Sequence, residues 1–263
     1  MNQIRIGSVF ENNPECTAKL MQKPKLMKNK TLKNSIITFM LLFTIAGFSQ
    51  GNSANILLDA FYSKIKSQKN PQIVDARGSD EFALNHIEGA VNFNLKSEYY
   101  EKHVAALNPS QPVFIYSIAA YRSGLLSTDL AKRGFKEVYI LEGGIASWIG
   151  GGKPFYSNLK SKLSIAEYKK ILADNQYVLV DIGSKYCATC KTVKPILEDI
   201  RSQYGEKLKI IQIELEESPQ VIADLKTVKV FPTLIFYQNG KIIFKKDGLG
   251  NLKSDVDVAL AQN

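Results

Sequence analysis

Tyr177-Val178-Leu179-Val180-Asp181-Ile182, then Cys187-Ala188-Thr189-Cys190, then Lys191-Thr192-Val193-Lys194-Pro195-Ile196-Leu197-Glu198-Asp199-Ile200 is the stretch whose reading decides the fold. The first run reads as a buried strand and the last as a helix, so the two cysteines open a helix directly after a strand. Two thiols one helical turn apart can close a small disulfide ring. The unpaired N–H groups and positive dipole end at a helix start favour a thiolate on the first of them. That pattern points to redox chemistry. Three other readings stand beside it. A zinc half-site needs two more ligands, for which the chain offers only Cys16, His86 and His103, far upstream. A structural disulfide here closes too short a loop to constrain the unfolded chain much. Two unrelated buried cysteines fit the strand-turn-helix context poorly.

The surroundings carry a family resemblance. Asp181 lies six residues before Cys187, Lys191 directly follows Cys190, and Pro195 comes five residues after Cys190. Val230-Phe231-Pro232-Thr233-Leu234-Ile235-Phe236 is followed by Asn239-Gly240-Lys241 and a second strand. From about Leu163 to Leu260 the chain resembles a complete thioredoxin domain. The resemblance implies that Cys187 is an exposed, partly ionised nucleophile and that Cys190 is the buried resolving thiol. It implies that Asp181, with a pKa raised by burial, is the base that deprotonates Cys190. Pro232 resembles the family's cis-proline, and with Phe231, Thr233 and Tyr186 it is expected to hold the substrate chain. Three positions depart from the pattern. Tyr186 stands where thioredoxins commonly have Trp, Ala188-Thr189 replaces the usual central dipeptide, and Gln212 stands where a lysine is expected near Asp181.

Residues 1–50 read as a leader. Lys28, Lys30 and Lys33 precede the apolar run from Ile36 to Phe48, after which small and polar residues follow. A basic region, a short apolar core and a cut ahead of Gln50 describe a secretory signal peptide, with Met27 as the suited start. The expected location is therefore periplasmic or secreted. The alternative is an uncleaved N-terminal membrane anchor, against which the run falls short of the roughly 20 residues a spanning helix needs. Residues 1–50 hold seven Lys or Arg against two Asp or Glu, so +5 of the net +9 lies in them. The remaining charge is scattered, which gives no case for nucleic-acid binding. After processing, Cys187 and Cys190 are the only cysteines left, so disulfides do not serve as scaffolding.

Residues 51–155 form a second unit in this reading. A helix over Ile56 to Lys66, strands at Gln72–Ala76, Val113–Tyr116 and Glu137–Leu141, and helices over Ser79–Leu84 and Arg122–Arg133 alternate along it. Such βα repetition argues for a parallel sheet with helices on both faces. Asp75-Ala76-Arg77, Glu81-Phe82, His86-Ile87-Glu88-Gly89-Ala90-Val91-Asn92, Gly134-Phe135, Gly143-Gly144-Ile145, Trp148 and Lys153-Pro154 together resemble the rhodanese family. Rhodaneses place a persulfide-bearing cysteine at the start of the loop that here runs Ser117-Ile118-Ala119-Ala120-Tyr121-Arg122. Ser117 occupies that position, and a hydroxyl oxygen cannot hold a transferable persulfide sulfur, so sulfurtransferase activity is not expected. The loop reads first as a structural remnant or a partner-docking module; the alternative is that its backbone N–H groups at a helix start, with Arg122 nearby, make an anion-friendly pocket for a ligand or partner. His86 and Trp148 read as structural.

Gly150-Gly151-Gly152-Lys153-Pro154 and the polar stretch through Ser161 read as a short linker. The expected architecture is α/β in two domains: a rhodanese-like parallel-sheet domain over 51–155, then a thioredoxin fold over 156–263. The expected function is an exported thiol-disulfide oxidoreductase that reduces disulfides of client proteins through its CxxC dithiol. A membrane thiol electron donor would recharge it, and no cofactor, metal or nucleic acid is called for. Two alternatives have different consequences. A disulfide oxidase or isomerase would have a reduction potential well above the roughly −270 mV of thioredoxin. A rhodanese-like binding module with a redox-sensing thioredoxin domain would not reduce insulin.

Overall fold

Val113–Tyr116 (β5) is buried at every position, as a strand covered on both faces must be. It sits at the centre of a five-stranded, all-parallel sheet in the order β1-β6-β5-β2-β4. The flanking strands are Asn52–Ile56 (β1), Glu137–Leu141 (β6), Gln72–Asp75 (β2) and Val91–Asn92 (β4). The structure, a computed structural model, describes residues 52–261; the leader, its Met27 start and its cut site lie outside the described residues. Helices Leu58–Lys66 (α1), Ser79–Leu84 (α2), Tyr100–Ala105 (α3), Ala120–Lys132 (α4) and Gly144–Gly150 (α5) connect and cover the strands. The expected helix over Ile56 to Lys66 is corrected at its start. Asn52–Ile56 pairs with β6, where hydrogen bonding to an open sheet edge outweighs the weak local β preference of Asn-Ser-Ala-Asn.

The C-terminal body contains Ile165–Asp174 (α6), Tyr177–Gly183 (β8), Ala188–Lys191 (α7), Val193–Tyr204 (α8), Lys209–Glu214 (β9), Pro219–Leu225 (α9), Thr233–Gln238 (β10), Lys241–Asp247 (β11) and Leu252–Ala261 (α10). A capping box of Ser164 and Glu167 starts α6. The sheet order is β11-β10-β8-β9, with β8 and β9 parallel and the other pairs antiparallel. Strand β8 alternates between two cores. Val178, Val180 and Ile182 face one apolar cluster, while Tyr177 and Leu179 face another beneath α8 and α10.

The first of those clusters is shared between the two bodies. Phe61, Phe114 and Trp148 of the N-terminal body and Val180, Ile213, Leu215 and Val228 of the C-terminal body belong to one contiguous core. Helix α5 is the contact element. A Cβ on Gly150 would lie 2.2 Å from the Val228 carbonyl oxygen, and one on Gly143 would lie 2.0 Å from that of Lys229. Only glycine admits backbone so close. A buried ion pair adds to the seam: Arg77 and Asp75 are 1 % and 0 % exposed and 2.7 Å apart. Arg77 also bonds Asn85, whose amide donates across to the Leu215 carbonyl at 3.5 Å. The stretch read as a short linker, from Gly150 through Ser161, holds regular structure in part. Phe155–Ser157 forms a strand (β7) that pairs antiparallel with Asn85–Ile87 (β3), because those residues find an unpaired edge within reach.

Candidate functional site

Cys187 caps helix α7 and is joined to Cys190 by a disulfide, with Cα atoms 5.3 Å apart. The Cys190 backbone N–H points at Cys187 Sγ at 3.2 Å. When the disulfide opens, that donor and the helix start stabilise a thiolate on Cys187 over one on Cys190. The loop before the pair is fixed by Glu216. Its carboxylate accepts from Ser184 Oγ at 2.6 Å and from the Lys185 N–H at 3.1 Å.

Parallel register builds the floor. Asp181 pairs with Gln212 and Gly183 with Glu214, so all four share the sheet face over which α7 and α8 run. Asp181 is 6 % exposed; Gln212 Nε2 donates to its Oδ2 at 3.1 Å, while its Oδ1 has no partner among the described residues. Burial raises the Asp181 pKa, against the opposing pull of the Gln212 hydrogen bond and of Lys194. Glu214, which the sequence pattern did not single out, is a second carboxyl on this floor. Its Oε2 is buried without a partner among the described residues, and burial, then Glu216 and Asp181, raise its pKa. Alternation along β9 from Gln212 is the signal that finds it. Gly183 leaves the intervening space open: a Cβ there would lie 3.2 Å from Cys190 Sγ and 3.9 Å from Glu214 Oε2.

The Phe231–Pro232 peptide is cis, and Thr233 is fully buried with its Oγ1 donating to the Val230 carbonyl at 2.8 Å. Tyr186 does not point freely outward. Its hydroxyl donates to Asp80 of the N-terminal body at 2.5 Å, and burial followed by that hydrogen bond pushes the phenol pKa up to about 12.

The loop of the N-terminal body comes to the same place. Ser117 is 1 % exposed and its hydroxyl turns inward to the Ala119 carbonyl and to Ser123. Arg122 is held in a two-pronged pair by Glu81, itself 4 % exposed. Glu81 thus neutralises the guanidinium that the alternative, anion-binding reading of this loop draws on. A cavity of about 740 Å³ lies between the bodies, lined by Ile118, Arg122 and Leu125 on one side and by Cys187, Thr189 and Phe231 on the other. Cys187, expected to be exposed, is 8 % exposed and lines this cavity.

A strand-borne buried carboxylate, a helix-capping dithiol and a cis-proline on the adjoining loop define a thioredoxin-fold dithiol centre. Comparison with known proteins agrees. The thioredoxin family model matches residues 160–259 and the rhodanese-like domain model matches residues 58–150. Thioredoxin of Buchnera aphidicola is 30 % identical over 80 residues, which are 30 % of this chain and 73 % of that protein. The tRNA uridine(34) hydroxylase of Protochlamydia amoebophila is 32 % identical over 134 residues, 49 % of this chain and 41 % of that protein. The solved thioredoxin of Plasmodium falciparum is 25 % identical with a TM-score of 0.34, covering 40 % of this chain and 98 % of that one. The chain belongs to the thioredoxin family and carries a rhodanese-like domain ahead of its thioredoxin domain. Its thioredoxin domain supports thiol-disulfide oxidoreductase chemistry on disulfide-containing substrates.

Proposed function

We propose that this protein is an exported reductase of client-protein disulfides, recharged by a membrane thiol electron donor. The observation that carries the reading is the helix-capping Cys187–Cys190 pair above buried Asp181. Cys187 thiolate attacks one sulfur of a client cystine, and the other client sulfur leaves as a thiolate. Asp181 takes the Cys190 proton, Cys190 attacks Cys187, and the second client sulfur departs. Two electrons pass to the client and the disulfide closes. Export rests on the leader-like residues 28–50, and the donor on the need for electrons outside the cytosol.

The N-terminal body is proposed not to transfer sulfur, since Ser117 is buried, hydrogen-bonded inward and without a sulfur atom. Pre-reduced protein should reduce insulin, and Cys190→Ser should accumulate mixed disulfides with exported clients while Cys187→Ser should not. Failure of Cys190→Ser to capture any client would overturn the assignment of roles. A dithiol potential far above the thioredoxin range would turn the direction of electron flow to oxidation. Turnover of thiosulfate and cyanide by the wild type would overturn the reading of Ser117.

A further inference from the structure

We propose that the interdomain cavity is the client-binding site, with the rhodanese-like body as its second wall. The proposed occupant is an extended cystine-bearing polypeptide segment that has an apolar residue beside the cysteine and an acidic residue nearby. The inference rests on Cys187 being the attacking sulfur.

Position comes first. Cys187 is 8 % exposed and lines a cavity of about 740 Å³ whose opposite side belongs to the other body. A folded partner presents a face of about 800 Å² to a standard interface. A sulfur recessed between two walls is out of reach of such a face. The volume falls instead within the roughly 300–1,000 Å³ that encloses a drug-sized ligand, and so a few residues of chain. The walls are fixed rather than tethered, because the two bodies share one apolar core and Tyr186, which lines the cavity, bonds Asp80 of the other body.

Chemistry then selects the occupant. Tyr121 and Leu125 sit one turn apart on α4, line the cavity, and are 76 % and 46 % exposed. Folding alone gives no reason for an exposed apolar pair facing a reactive sulfur; a client side chain packed between them and Phe231 does. The charged pair on the same wall is already engaged, Arg122 with Glu81, and the neighbouring Ser117 and Asp80 are committed too. Ser117 turns inward, and Asp80 accepts from Tyr186. Lys96 lines the cavity, is exposed, and makes no ion pair among the described residues, which leaves one cation for one carboxylate. A small disulfide carrying several carboxylates would need more cations than this wall supplies.

The test is single-turnover reduction by full-length protein pre-reduced with dithiothreitol and then desalted. The probes are four disulfide-bonded peptides of equal length, with Leu or Ser beside the cystine and Asp or Lys two residues away in every combination. Wild type should favour the Leu-Asp peptide over the Ser-Lys peptide about tenfold, the ratio a single modest contact supplies. Tyr121→Ser with Leu125→Ser should bring the Leu-against-Ser preference to near unity, and Lys96→Glu should invert the Asp-against-Lys preference. Because each readout is a ratio within one variant, a general loss of activity does not obscure it. Equal rates in wild type, a preference that survives both variants, or faster reduction of an anionic small disulfide such as oxidised glutathione would overturn the proposal. If wild type reduces none of the peptides and no aromatic small disulfide, the redox reading of Cys187 fails instead.

Discussion

Tyr186, immediately before the first cysteine, donates a 2.5 Å hydrogen bond to Asp80, 106 residues earlier in the chain. The bond ties the rim of the dithiol to the first turn of α2 in the other body. It lowers the Asp80 pKa and raises that of Tyr186, as a shared proton held on the phenol must. In Asp80→Asn, the Tyr186 phenol should therefore titrate nearer the ordinary tyrosine value than the about 12 of wild type. Tyrosine-selective NMR across alkaline pH reads this directly. An unmoved Tyr186 resonance would mean that burial alone sets its value.

Asp181 is buried with one oxygen unpartnered, and its pKa is raised. A carboxyl raised in the folded state contributes fully to stability below its unfolded value, near pH 4. It progressively costs stability as pH rises through the folded value. Asp181→Asn should thus melt higher than wild type at pH 8 and equally at pH 3.5. Each unit of upward shift is worth about 1.4 kcal/mol, and each kcal/mol roughly 2–4 °C in a chain of this size. Glu214→Gln should move the same way by less, since Glu214 is only half-buried. Thermal melts at the two pH values check both.

The same Asp181→Asn exchange should slow resolution of a Cys187-linked mixed disulfide by on the order of 10²-fold, as loss of a positioned base does. Quenched-flow trapping of the mixed disulfide measures its lifetime. An unchanged lifetime would pass the proton-accepting role to Glu214, across the gap that Gly183 leaves beside Cys190.

Gly150→Ala should destabilise the whole protein by about 1–3 kcal/mol, the usual cost of overpacking a close contact. Its Cβ would meet Val228, in the other body, at 2.2 Å from the carbonyl oxygen. Because the two bodies share a core, calorimetry should show one transition that shifts as a unit. Two separated transitions in the wild type would contradict the shared core.

Local motifs carried the two folds. The strand-turn-helix around Cys187 and the continuous apolar run Val113–Tyr116 are set by residues close in sequence, and both folds can be read from such local patterns. What was not legible depends on residues far apart. Arg122 looked like a free cation until Glu81, 41 residues earlier, was found against it. Glu214 became a site residue only through its register with Gly183. Gly143-Gly144 reads as part of the rhodanese pattern and Gly150-Gly151-Gly152 as the start of a short linker, whereas Gly143 and Gly150 are where two backbones touch. Composition alone does not separate a glycine needed for freedom from one needed for closeness.

The short strand β7, paired back onto β3 after α5, has a mechanical consequence. A chain that re-enters the first sheet system before crossing to the second leaves little slack for swinging the halves apart. With an apolar seam on one side and this strap on the other, large hinge motion is suppressed. Admission of a disulfide-containing substrate to Cys187 should then fall to side-chain rotations at the rim, on the nanosecond scale, rather than to slow opening of the molecule.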